Sequence, residues 1–226
     1  MGDTINYTED FDAALKEMRF YKQYKEYLPF VGSQYKESPV KILILGESHY
    51  LPDKSKALKG AEEWYQGNSG KLEEEDKEYI RTRVVVKSGK KKHVIFRNLE
   101  AALIKADLPK CSNVFNYVAY MNSFQRPAVC KKSISEKQEN IDVTVAVEVI
   151  NGVVEIIKPD LILFVSKWAG NILSKKINLE PEVKVYVFPH PSRPCWFRKT
   201  KKNGVGRDRF VARVKEAWHS TPTSPT

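Results

Sequence analysis

A short hydrophobic run, Val40–Leu45, stops at Gly46-Glu47-Ser48-His49-Tyr50, and a second, Val183–Phe188, stops at Pro189-His190-Pro191-Ser192-Arg193-Pro194. Runs this short and apolar fit strands covered on both faces. In open α/β sheets ligands bind beyond the carboxyl ends of the strands. Two such loops, each carrying groups able to do acid–base work, therefore predict one site assembled from distant parts of the chain.

The segments between them support that layout. Residues 8–28 carry Phe11, Ala14, Leu15, Met18 and Tyr21 at helical spacing, ended by Pro29 and Gly32. Residues 51–77 are polar and predict a long loop with some helix. Arg81–Lys87 alternates weakly, as a short strand or extended loop, and Ser88–His93 is a basic turn. Helical spacing returns over 94–106 and 143–158, and segments 168–177 and 209–218 also suit helices. Val114–Met121 and Leu161–Val165 supply two more strands. Strands alternating with helices imply an α/β fold. The expected architecture is a three-layer α/β/α sandwich on a central, mostly parallel four-stranded sheet. Residues 1–218 read as one domain, with a disordered Ser/Thr/Pro tail over 219–226.

Composition narrows the class of partner. With 38 Lys and Arg against 28 Asp and Glu, the formal net charge is +10, which favours a polyanion, nucleic acid before membrane. The same charge also suits a merely basic surface. Cys111, Cys130 and Cys195 show no CxxC spacing. They suit reduced thiols in a cytoplasmic protein better than a zinc or iron–sulfur site. No run reaches the roughly 18 apolar residues of a membrane span. The expectation is a monomer without metal or cofactor.

Four segments, in order, resemble the uracil-DNA glycosylase superfamily. Gly46-Glu47-Ser48-His49-Tyr50 is similar to its first motif, G-[QEIM]-[DAN]-P-[YG]. Tyr120–Pro127 is similar to its Asn-bearing strand end, and Pro159–Val165 to the strand before the last motif. His190-Pro191-Ser192 matches that last motif, H-P-S. The resemblance covers residues 40 to about 197 and rests on the ordered set. Departures are specific. Ser48 stands where one branch has a water-activating Asp, His49 where Pro is usual, and Ser166 where Gly is usual. The four-cysteine cluster of another branch is missing.

What the resemblance implies is a monofunctional DNA glycosylase that flips out a base and hydrolyses its N-glycosidic bond. The GESHY loop and the 51–92 insertion point to a damaged or modified pyrimidine, including hypermodified phage bases, rather than plain uracil. Glu47, the only carboxylate of its loop, would position water or offset charge on the sugar; otherwise it orders its own loop through backbone N–H groups. His190 would donate to the departing base, or bond to backbone. His49 is a second catalytic candidate. Gly46, Ser48, Tyr50 and Asn122 would hold the base. Tyr50 matches the residue that seals the pocket floor against 5-substituents, and Asn122 would read the base edge or cap its strand. Tyr50, Trp64 or Tyr65 would stack on the base. Ser192, Arg193, Trp196 and Phe197 would enter the duplex, the two aromatics as wedge or as loop anchor. Arg198, Lys199, Lys201, Lys202 and Arg207 would track phosphates, with Lys90–Lys92 as a second contact. Lys167 has no feature that marks a Schiff-base lysine. Two other classes compete: a non-catalytic binder of flipped bases or abasic sites, and a hydrolase using Ser48 and His190. GESHY lacks the small residue two after Ser that a nucleophile elbow needs.

Overall fold

Ile42–Gly46 is buried along its whole length, the state expected of a central strand with both faces covered. The computed structural model describes residues 4–57, 60–68, 72–110, 113–129, 133–200 and 204–220. Its strands are β1 Phe30–Val31, β2 Ile42–Gly46, β3 Tyr50–Leu51, β4 Val118–Asn122, β5 Ala128–Val129, β6 Leu161–Phe164 and β7 Lys184–Val187. Its helices are α1 Asp12–Glu17, α2 Arg19–Gln23, α3 Ala61–Tyr65, α4 Glu74–Ile80 and α5 Thr82–Lys92, followed by α6 Val94–Lys105, α7 Asn140–Ile157, α8 Lys167–Leu173, α9 Pro194–Phe197 and α10 Gly206–Ser220.

The main sheet is mixed and five-stranded, in the order β1-β4-β2-β6-β7. β4, β2, β6 and β7 run parallel, and β1 lies antiparallel on the outer edge of β4. The expected four strands become five because β1 occupies the stretch assigned to a helix stop. A two-residue strand has no periodicity to read. Gly32 is needed just after it, since a Cβ there would lie 2.3 Å from the Asn116 carbonyl oxygen.

Alternate residues of the parallel strands enter two separate cores. Leu43, Leu45, Met121, Ile162 and Phe164 face one side, packed with α2, α7 and α8. Ile42, Ile44, Val118, Leu161 and Leu163 face the other, packed with α6 and α10. This is period-2 alternation with apolar residues on both faces.

Local departures have local causes. The 8–28 helix is two helices broken at Met18, whose ψ of 134° is extended. The break lets Met18 lie over Gly152 of α7, where an added Cβ would meet its Cε at 2.5 Å. Segment 82–92, expected as strand and turn, is helical. α7 starts earlier than expected because Glu139 and Asp142 form a reciprocal capping box, and Lys158 in the left-handed region followed by Pro159 ends it. α10 extends through His219 and Ser220. The rest of the expected tail, Cys111, Cys130, Lys201 and Lys202 lie outside the described residues, as do the side chains of Lys90–Lys92. Cys195 is a free thiol. Among the described residues, no helix is long and apolar enough to cross a membrane.

A second, two-stranded sheet pairs β3 with β5 in parallel. It extends a zipper between the loops that leave β2 and β4. Ser123 N–H donates to the Gly46 carbonyl at 3.1 Å, Phe124 N–H to Glu47 at 2.9 Å, and Ala128 N–H to His49 at 2.8 Å. A buried ion pair anchors the β4 side of this zipper. Arg126 donates through Nε and Nη2 to Asp142 at 2.9 and 2.6 Å, and the Tyr65 hydroxyl donates to the same carboxylate at 2.9 Å.

Candidate active site

The loops after β2, β4 and β7 meet at the carboxyl edge of the sheet, around a cleft of about 510 Å³. Glu47, Ser48, His49, Tyr50, Asn122, His190 and Ser192 border it. The two loops singled out in the sequence thus share one cavity with the Asn122 strand end. Gly46 does not border the cleft. It is required behind it, because a Cβ there would lie 2.2 Å from Asn122 Oδ1 and 2.3 Å from the Tyr120 hydroxyl. Its expected part in holding the base is therefore indirect.

Glu47 is half-buried and held from two sides. Ser133 Oγ donates to its Oε1 at 2.6 Å, and Ser166 Oγ to its Oε2 at 2.7 Å. Ser166 is the N-cap of α8 and accepts from the Ala169 N–H at 3.3 Å. The carboxylate is thus fixed by hydroxyls of two other segments, not by N–H groups of its own loop. Each oxygen has a further lone pair able to accept from water.

His190 sits between Pro189 and Pro191, which restrict its backbone. The Ser192 N–H donates to Nδ1 at 3.2 Å, and Ser192 Oγ lies 2.7 Å from the same nitrogen. A nitrogen that accepts an N–H bond carries no proton, so the neutral ring bears its proton on Nε2. Burial lowers the His190 pKa from 6.5; Glu47 opposes that shift and Arg193 adds to it. At neutral pH the ring is an uncharged donor through Nε2.

His49 is also at the cleft but has a different task. It is buried, edge-on to Tyr27 with centroids 5.0 Å apart, and its Nε2 lies 3.1 Å from Thr82 Oγ1. Burial drives its pKa down to about 4, against a hydrogen bond to the Tyr79 backbone that raises it; the His93 charge adds a smaller lowering. Through these contacts His49 ties the first loop to α5 and to the Tyr27 ring while bordering the cleft.

The base-holding candidates divide. Ser48 Oγ is buried and, among the described residues, without a hydrogen-bond partner, while Ser48 borders the cleft. Such a group costs free energy until a ligand or water meets it. Asn122 is buried at the end of β4, and its Oδ1 accepts from the Tyr120 hydroxyl at 3.1 Å, which fixes the amide plane. Tyr50 is 38% exposed, at the rim, so it does not seal a floor. Trp64 and Tyr65 are core residues: Trp64 stacks on Tyr24 with centroids 4.8 Å apart, and Tyr65 serves Asp142. Neither borders the cleft. The rings that do include Tyr79, Phe96 and Tyr120. The sequence reading missed all three as site residues; helical spacing marked the Phe96 segment only as core.

In the loop after β7 the two aromatics, expected as wedge or as loop anchor, separate by burial. Trp196 is fully buried against Phe210, centroids 5.4 Å apart, and is a loop anchor. Phe197 is 46% exposed, with the Arg207 guanidinium 6.0 Å from its ring centroid. Ser192, Arg193, Arg198 and Lys199 are exposed. Among the described residues, the three cations have no ion-pair partner. Arg207 pairs with its neighbour Asp208 at 3.4 Å.

Among the described residues, no group of three or more His, Cys, Asp or Glu side chains is arranged to hold a metal ion. Compared with models of protein families the chain matches none, and no curated protein sequence matches it.

Proposed function

We propose that this protein is a monofunctional DNA glycosylase, similar to the uracil-DNA glycosylase superfamily, acting on a flipped-out damaged or modified pyrimidine. The observation that carries the reading is the convergence of Glu47, Asn122 and His190 on one cleft. They come from three parallel strand ends, and between them they supply what the reaction needs. Cleavage of the N-glycosidic bond develops positive charge on the sugar and negative charge on the departing base. Glu47, held by two hydroxyls, offsets the first and positions the attacking water. His190, a neutral donor at Nε2, meets the second. Asn122, its amide plane fixed, reads the base edge.

The exposed Arg193, Arg198 and Lys199 beside Phe197 suit phosphates flanking the flipped nucleotide, with Phe197 filling the gap it leaves. Ser48 and His49 depart from the usual motif, which points away from plain uracil toward a modified base such as the hypermodified pyrimidines of phage DNA. The scheme calls on no metal or cofactor.

The test is incubation with duplexes carrying uracil and modified pyrimidines, followed by mass spectrometry of released bases and alkaline nicking. Release of a free base is expected. Glu47→Gln should lower the rate by at least about 100-fold, as loss of a transition-state contact does, while DNA binding persists. Binding without release from any substrate would replace the reading with a non-catalytic binder.

A further inference from the structure

Among the described residues, five large hydrophobic side chains stand exposed, and four of them border this one cleft: Tyr50, Tyr79, Val84 and Val94. Apolar surface gathered in one place marks a ligand or partner site. These residues belong mostly to a different part of the chain from the catalytic candidates. Tyr79, Val84 and Val94, with Glu78, Ser88 and His93, come from α4, α5 and the junction with α6. The cleft therefore has an inner half made by strand-end loops and an outer half made by one helical insertion. Its volume of about 510 Å³ falls within the roughly 300–1,000 Å³ of sites that enclose whole drug-sized ligands. A single six-membered ring fills a fraction of that.

The charge of the lining is opposite to that of the protein. The chain has 38 Lys and Arg, yet no described residue bordering the cleft is either. Two are Glu. Glu47 is taken by Ser133 and Ser166, whereas Glu78 is exposed and forms no ion pair among the described residues. Among the described lining residues, an anionic group entering the outer half would meet the Glu78 carboxylate and no Lys or Arg. A group with N–H or O–H donors would meet an open acceptor beside the Tyr79 ring.

We propose that the outer half is a subsite for a ring substituent larger than methyl that donates hydrogen bonds and carries no negative charge, selected by Glu78 and Tyr79. Aminoalkyl and polyhydroxylated substituents share this chemistry. The inference rests on the glycosylase reading for what fills the inner half.

The test compares 2′-deoxyuridine with its 5-aminoalkyl, 5-glycosyloxymethyl and 5-carboxy derivatives, as free nucleosides by calorimetry and in duplex DNA by base release. One or both donor-bearing nucleosides should bind at least about tenfold tighter than deoxyuridine, the value of one charge-assisted hydrogen bond. The carboxylated one should gain nothing. Which donor-bearing arm gains identifies the substituent. Glu78→Ala and Tyr79→Ala should each remove most of that preference with melting temperatures unchanged, since both side chains are exposed. Equal binding of all four, binding of none, or a preference that survives both substitutions would overturn the subsite. Base release separates the two readings. A nucleoside preference without release from any duplex defeats the glycosylase reading and leaves the subsite. Release of unsubstituted uracil in preference to every substituted base does the reverse.

Discussion

His49 and His190 show how the same residue, in the same cleft and shifted in the same direction, serves two purposes. His190 keeps an open Nε2–H because Ser192 occupies its other nitrogen. His49 is enclosed by Tyr27, Thr82 and the backbone. For His190 the shift below 6.5 means that protonation waits for acid, so the neutral donor survives below pH 6.5. The acid limb that it contributes to the pH–rate profile of base release should lie below 6.5 and vanish in His190→Asn. For His49 the consequence is stability. Its folded pKa, about 4, lies below the unfolded 6.5, so protons favour the unfolded chain. The stability it permits is full above pH 6.5 and falls as pH drops toward 4, by at most about 3 kcal/mol. Urea midpoints at pH 7 and 4.5 should differ less in His49→Gln than in the parent. Glu47, Asn122 and His190 were legible in the sequence because strand ends of a parallel sheet must converge. The burial of His49 was not, since no local pattern announces that a helix more than thirty residues away will cover it.

The helices and strands explain which expectations held. β2 and β6 were visible as unbroken apolar runs, and α6 and α7 as long periodic ones. α5 was hidden by Val84-Val85-Val86, a β-branched run that suits strands, and by Gly89. Tertiary contacts override those preferences. Val86 and Thr82 are buried, Arg83 pairs with Asp12, and its Nε donates to the Pro29 carbonyl at 3.1 Å. The four-residue α9 raises a similar ambiguity, because neighbouring aromatics Trp196 and Phe197 look equivalent beside basic residues. Burial separates them. Trp196→Ala should destabilise by about 3–5 kcal/mol through the cavity it leaves, seen as a lowered urea midpoint. Phe197→Ala should stay within about 0.5 kcal/mol in the same assay and instead weaken binding to duplex DNA.

Taken whole, the molecule separates its charge from its chemistry. The formal net charge is +10, while the described cleft lining holds two Glu and no Lys or Arg. On the proposed glycosylase reading, affinity for DNA belongs to the exterior cations and discrimination among bases to the cleft. Alanine at Arg193, Arg198 or Lys199 should each reduce the slope of log binding constant against log salt by about one, the signature of one lost phosphate contact. The preference among bases should not move, which competition between modified and unmodified duplexes measures. Composition gives the sign of the protein's own charge from the outset. It said nothing of where the protein leaves that charge out, because that depends on how α4 and α5 fold over the sheet edge.

The zipper between the loops after β2 and β4 has a mechanical consequence. Backbone bonds at Gly46, Glu47 and His49 run on into the β3–β5 pair, so Glu47 and Asn122 ride on one stiff ribbon. His190 stands on the loop after β7, across the cleft and outside that zipper. The spacing of Glu47 and Asn122 is therefore set by backbone pairing, while their distance to His190 depends on how a separate loop is held.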